Sequence, residues 1–165
     1  MPELPSAMLR NGRPKDQDFR LDEYLYRRVP LELWDDADVA IDIDAIELPD
    51  MSVIRGKYGH PEWARLESDE CIDWGVIGFR VDDIPVRLLH LGVFTWTFGP
   101  RHVPLDENYS HSEVWAYENG THVNAKNRLD AHLHLRWREM LLRRVKTIIR
   151  PYESRDIHRD APAEA

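Results

Sequence analysis

The chain predicts an α+β fold, with a mainly antiparallel sheet over about residues 38–124, a long C-terminal helix packed across one face and a short N-terminal helix at an edge. Three observations point there. Ile72–Val81 and Ile84–Phe98 are rich in Val, Ile, Phe and Trp. Short turns, not helical crossovers, separate most of the strand-like runs, which favours antiparallel pairing. From Ala125 to about Arg150 the apolar residues recur at helical intervals. A mixed sheet, or a barrel with the helix plugging one end, is the alternative.

Taking the elements in order, Phe19, Leu21, Tyr24, Leu25 and Val29 behind a cap at Asp16 or Asp18 give the N-terminal helix, stopped by Pro30. Val39–Ala45 alternates, with Ile41 and Ile43 on one side and Asp42 and Asp44 on the other, and reads as an outer strand. Pro61 suits the first position of a helical turn or two running to Leu66. Asp82 and Asp83 separate the two β-rich runs, the second of which ends at Gly99 and Pro100. Asn119 and Gly120 favour a two-residue type I′ hairpin, in which Tyr117 faces His122 and Ala116 faces Val123. Alternation then puts Val114, Ala116 and Val123 in the core, and His111, Glu113, Trp115, Tyr117 and His122 on the other face. Asn124 caps the final helix, about 38 Å long. Its apolar sector is wide, and Arg128, His132, Arg136, Arg143, Lys146 and Arg150 form a basic ridge along it.

At 165 residues the chain is expected to be a single domain with loose ends at about 1–15 and 151–165. Cys71 has no intrachain disulfide partner, because it is the only cysteine. With no signal-like start and no long apolar run, the reading is a soluble, intracellular and cytoplasmic protein without a membrane segment. The net charge is −8, which disfavours nucleic acid as a partner. The charge is segregated: residues 125–150 hold eight basic and two acidic side chains, leaving 14 basic and 28 acidic elsewhere. Asp35, Asp36, Asp38, Asp42 and Asp44 supply an acidic stripe that could cover the basic ridge, within this fold or from a second copy.

Residues 101–123 gather three histidines, four carboxylates and two tyrosines, but no spacing there forms a named catalytic or metal motif. Four of these residues make a candidate catalytic set: His102, His111 and Glu113, with Tyr109 orienting. It would act on phosphodiesters by acid–base chemistry or through a divalent metal ion, with the Pro104–Ser110 loop as lid. The ordinary alternative makes His111, His122 and Glu113 polar residues of a wet sheet face. Arg55 and Lys57, in an apparent glycine-containing loop, are candidate anion binders, as are Arg136, Arg143 and Lys146 on the ridge. The acids beside Cys71 disfavour a thiolate nucleophile. The leading expectation is a non-enzymatic interaction or accessory protein, working through its segregated charges on a protein partner or on itself. A small phosphodiester hydrolase with the His/His/Glu cluster is the alternative, which leaves enzymatic status and cofactors undetermined. A small-ligand module built on Trp115, Tyr117 and His122 is the third reading.

Overall fold

The computed structural model describes residues 4–35, 40–66, 68–90, 92–124 and 131–153. It contains one antiparallel sheet of eight strands: β1 (Tyr24–Val29), β2 (Met51–Arg55), β3 (Gly75–Arg80), β4 (Arg87–His90), β5 (Val93–His102), β6 (His111–Glu118), β7 (Thr121–Val123) and β8 (Lys146–Ile149). The order across it is β4-β5-β6-β2-β1-β3-β8. One edge of β6 lies along β5, while β2 takes the first half of its other edge and β7 the second.

Paired residues share a face, so the register separates two packing layers. On one face Leu25, Met51, Val53, Phe79, Val114 and Ala116 are buried with Leu133, Trp137 and Leu141 of α1 (Ala131–Leu142), the one α-helix among the described residues. Trp137 packs at 5.2 Å from Phe98, ring centre to ring centre, and its indole N–H donates to the Pro85 carbonyl at 3.0 Å. On the other face Ile54, Val76 and Ile149 meet Met8 and the short 3-10 helix Pro61–Arg65, which begins at the proline that the sequence marks. The hairpin matches its expected register, with Tyr117 opposite His122 and Ala116 opposite Val123. Asn119 and Gly120 take φ of 49° and 81°, the left-handed region such a turn requires.

The rest departs from expectation, beginning with Ser52–Arg55, expected in a loop but part of β2. Residues 24–29 form a strand, not the end of a helix over 16–29, because β1 is claimed on both edges, by β2 and β3. Leu21, part of the apolar pattern of that expected helix, is 68% exposed. Nor do the described residues confirm the long C-terminal helix: among them α1 has 12 residues, about 18 Å of helix, and ends at Leu142. Beyond it Thr147, Ile148 and Ile149, β-branched residues that favour a pleated surface, complete β8 against the edge of β3. The sheet therefore extends past 38–124 at both ends. In the expected strand over 39–45, Ile41 makes one isolated bridge to Trp34, and the Asp42 carboxylate turns back to accept the Asp44 amide at 2.8 Å, starting a 3-10 turn. The basic ridge is divided as a result, with Arg136 on α1, Arg143 in the following turn and Lys146 on β8. Val39, Asp36, Asp38, the helix start at Ala125 with Arg128, and the tail beyond residue 153 lie outside the described residues.

Candidate functional site

His102 and His111 do not converge. His102 pairs with Ser112, the residue between His111 and Glu113, so alternation puts His102 on the opposite face. His102 is buried, and both its ring nitrogens are engaged: Nδ1 accepts the Asp16 amide at 2.8 Å, and Nε2 lies 2.6 Å from the Tyr109 carbonyl. An amide can only donate and a carbonyl can only accept, so the ring is neutral with its proton on Nε2. Burial pushes its pKa below the ordinary imidazole value, against the upward pull of the Tyr109 carbonyl. Tyr109 is buried beside it, and its hydroxyl donates to the Pro14 carbonyl at 2.7 Å. The Pro104–Ser110 loop is tied to the N-terminal segment by the bonds Arg10 N–H to Asp106 O and Tyr109 N–H to Met8 O.

Arg55 and Lys57 face the same segment. Arg55 is fully buried and donates to Glu23 through Nε and to the carbonyls of Asp16 and Asp18 at 2.6 and 2.5 Å. Phe19 lies under its guanidinium at 3.9 Å. Lys57 reaches the Asp16 carboxylate at 3.1 Å, and the Tyr58 hydroxyl donates to the same oxygen at 2.5 Å. The Tyr58 bond does most to hold Asp16 well below the usual carboxylate range, overcoming the cost of its burial. Burial, then that same bond, pushes Tyr58 up to about 12. This network plugs one end of the sheet with residues 13–23. Neither Asp16 nor Glu23 stands out in the sequence, since each lies more than 30 residues from Arg55.

Arg136, Arg143 and Lys146 are exposed, and Arg136 donates to the Leu89 carbonyl at 3.3 Å. The ion pair that α1 does make with the acidic stripe runs through Arg138, 2.8 Å from Asp44. Among the described residues no group of three His, Cys, Asp or Glu side chains is placed to hold a metal ion.

The best-organised open surface is the face shared by β5, β6 and β7. Trp115 and His122 stack at 3.7 Å between ring centres, with planes 8° apart. Each ring is fixed by a carboxylate: Trp115 Nε1 donates to Glu113 at 2.8 Å, and His122 Nε2 lies 2.8 Å from Asp50. Tyr117 stands about one ring away from both, at 6.3 and 6.0 Å, and the Arg101 guanidinium lies 5.4 Å from the Trp115 centroid. Gly99, directly opposite Trp115, has open space where a side chain would stand. Trp115, Tyr117 and His122 are all partly exposed, and burial raises the Tyr117 pKa. This part of the face was legible in the sequence through the hairpin register, whereas Asp50 and Arg101 were not. Compared with protein-family models, with characterised proteins and with solved structures, the chain matches none of them.

Proposed function

We propose that this chain is a non-enzymatic interaction protein that recognises its partner through the aromatic strip of Trp115, Tyr117 and His122. One observation carries the reading: the Trp115–His122 stack is held by Glu113 and Asp50 yet stays partly exposed beside the bare position at Gly99. Rigid aromatic rings lose little entropy when covered and contribute large contact areas, which is why such groups anchor interfaces. The ring nitrogens of His102, both spent on backbone groups, supply nothing to a hydrolytic mechanism at His111. The segregated charges enter as steering: acid dominates outside α1 and β8, and the exposed Arg136, Arg143 and Lys146 offer a contrasting patch.

The test compares quantitative affinity capture by the wild-type chain and by Trp115→Ala/Tyr117→Ala, with folding verified by thermal unfolding. Retention by wild type and loss by the folded variant of the same partner supports the reading. A partner held equally by both overturns it, as does phosphodiester turnover that His111→Ala abolishes.

A further inference from the structure

The N-terminal segment and the turn at residues 105–108 enclose a cavity of about 430 Å³, within the range of small-ligand pockets. It shares no lining residue with the aromatic strip. Its apolar walls are Leu4 and Met8 from the N-terminal segment, Leu66 from the end of the 61–65 turn, and Leu105, which is 45% exposed. Backbone bonds stitch these walls together. Leu105 and Asn108 exchange both their amide–carbonyl bonds at 3.1 Å, the Arg10 amide donates to the Asp106 carbonyl at 2.9 Å, and the Tyr109 amide donates to the Met8 carbonyl at 2.7 Å. The space is therefore preformed, and little chain remains to be ordered when a ligand enters.

One polar side chain of this wall is only half used. Asn108 lines the cavity and is 2% exposed, and its Oδ1 accepts from the Ser110 amide at 3.2 Å and from the Ser110 hydroxyl at 2.6 Å. A backbone amide can only donate, so the atom beside it is the oxygen and the other is the Nδ2 donor, turned away from Ser110. Nδ2 is buried and has no hydrogen-bond partner among the described residues. A second buried donor without one, the Trp63 indole N–H, belongs to the same apolar cluster as Met8 and Leu66. Donors stranded in an apolar wall are costly unless an acceptor reaches them. The charged side chains lining the cavity, among the described residues, are Asp106 and Glu107, both acidic and both exposed. They repel an anion, so the acceptor that fits Asn108 is a neutral carbonyl and not a carboxylate.

We infer that this cavity is a binding site for a small, uncharged, apolar molecule carrying one carbonyl oxygen, such as a ketone or an ester. The oxygen accepts from Asn108 Nδ2, and the apolar body lies against Leu4, Met8, Leu66 and Leu105. The site is separate from the strip proposed as the partner-binding surface, so either can fail alone.

The experiment titrates the full chain with acetophenone, with ethylbenzene, which keeps the ring but has no acceptor, and with benzoate, following the Met8 methyl and Asn108 side-chain amide signals by NMR. Acetophenone should move both signals with an affinity in the millimolar range or better, and should shift one Nδ2 proton downfield as it enters a hydrogen bond. Ethylbenzene should not produce that downfield shift. Benzoate should bind about tenfold more weakly than acetophenone or not at all. Leu105→Asp, at a half-exposed position that tolerates a polar side chain, removes one apolar wall and should weaken acetophenone by about three- to tenfold. Trp115→Ala should leave the titration unchanged. The inference is overturned if acetophenone moves neither signal, if ethylbenzene shifts the Asn108 amide equally, if benzoate binds as well, if Leu105→Asp binds like wild type, or if Trp115→Ala weakens binding.

Discussion

Arg55→Met gives the sharpest test of how the sheet end is built. In wild type the guanidinium and its partner Glu23 are 0% and 1% exposed, so the substitution leaves a carboxylate sealed away from water without its counter-charge. Removing one partner of a buried pair typically costs ~3–5 kcal/mol. For a chain of this size each kcal/mol lowers Tm by ~2–4 °C, giving an expected drop of about 6–20 °C. Methionine retains much of the volume over Phe19, so the cost is mainly electrostatic. Adding Glu23→Leu removes the stranded charge and should recover part of the loss, leaving the carbonyls of Asp16 and Asp18 without their donor. Thermal and urea unfolding by circular dichroism measure all four corners of the cycle, and a coupling of about 1–3 kcal/mol is expected. Trypsin gives a second readout, because Arg55→Met releases the segment that carries Lys15 and Arg20. The reasoning fails if the two substitutions add without coupling, or if Arg55→Met melts within about 2 °C of wild type.

Asp16 makes the fold acid-sensitive: its folded pKa is depressed, so its stabilisation is complete above the unfolded value near 3.9 and disappears as pH falls through the folded value. Urea midpoints measured downward from about pH 5 should therefore decline less steeply in Asp16→Asn than in wild type; parallel slopes would refute the assignment. His102→Ala strands the Asp16 amide and the Tyr109 carbonyl in a buried place and should cost about 2–3 kcal/mol in urea unfolding. Gly120→Ala, at φ 81°, should cost about 1–2 kcal/mol and weaken the amide-exchange protection of β7. Gly75→Ala drives a methyl group into the Trp34 indole and should destabilise by about 1–3 kcal/mol; a neutral effect would mean that Trp34 is free to move.

The features read correctly from sequence are those decided by neighbours in the chain. Asn119 and Gly120 set their own φ values, and the hairpin register follows within a few residues on either side. The β-rich runs at 75–80 and 93–102 carry their signal locally as well. Both helix errors come from segments whose spacing satisfies two periods at once. Leu25 and Val29 are four apart, as on a helix, and also even-numbered steps apart, as on one face of a strand. The deciding fact is that β1 lies between β2 and β3, which no local pattern states. At the C-terminus, an apolar sector wider than half the helical circumference was itself a symptom. It combined the core stripe of α1, Leu133, Trp137 and Leu141, with Ile148 and Ile149, which pack on the other face of the sheet.

Arg55 shows that the same alternation rule could have reached further than it did. Gly56 and Gly59 draw Ser52–Pro61 toward a loop reading, in which Arg55 and Lys57 look like free cations awaiting an anion. Read as a strand, Met51-Ser-Val-Ile-Arg places Arg55 on the side of Met51 and Val53, the core face. An arginine there cannot remain without carboxylate and carbonyl partners, because an unpaired buried charge is too costly. That requirement predicts an acidic segment folded against the end of β2, and the acids of residues 16–23 are the candidates nearest β1, which pairs Leu25 with Arg55 itself. The chain's anion at this point is thus its own Glu23, assisted by Asp16.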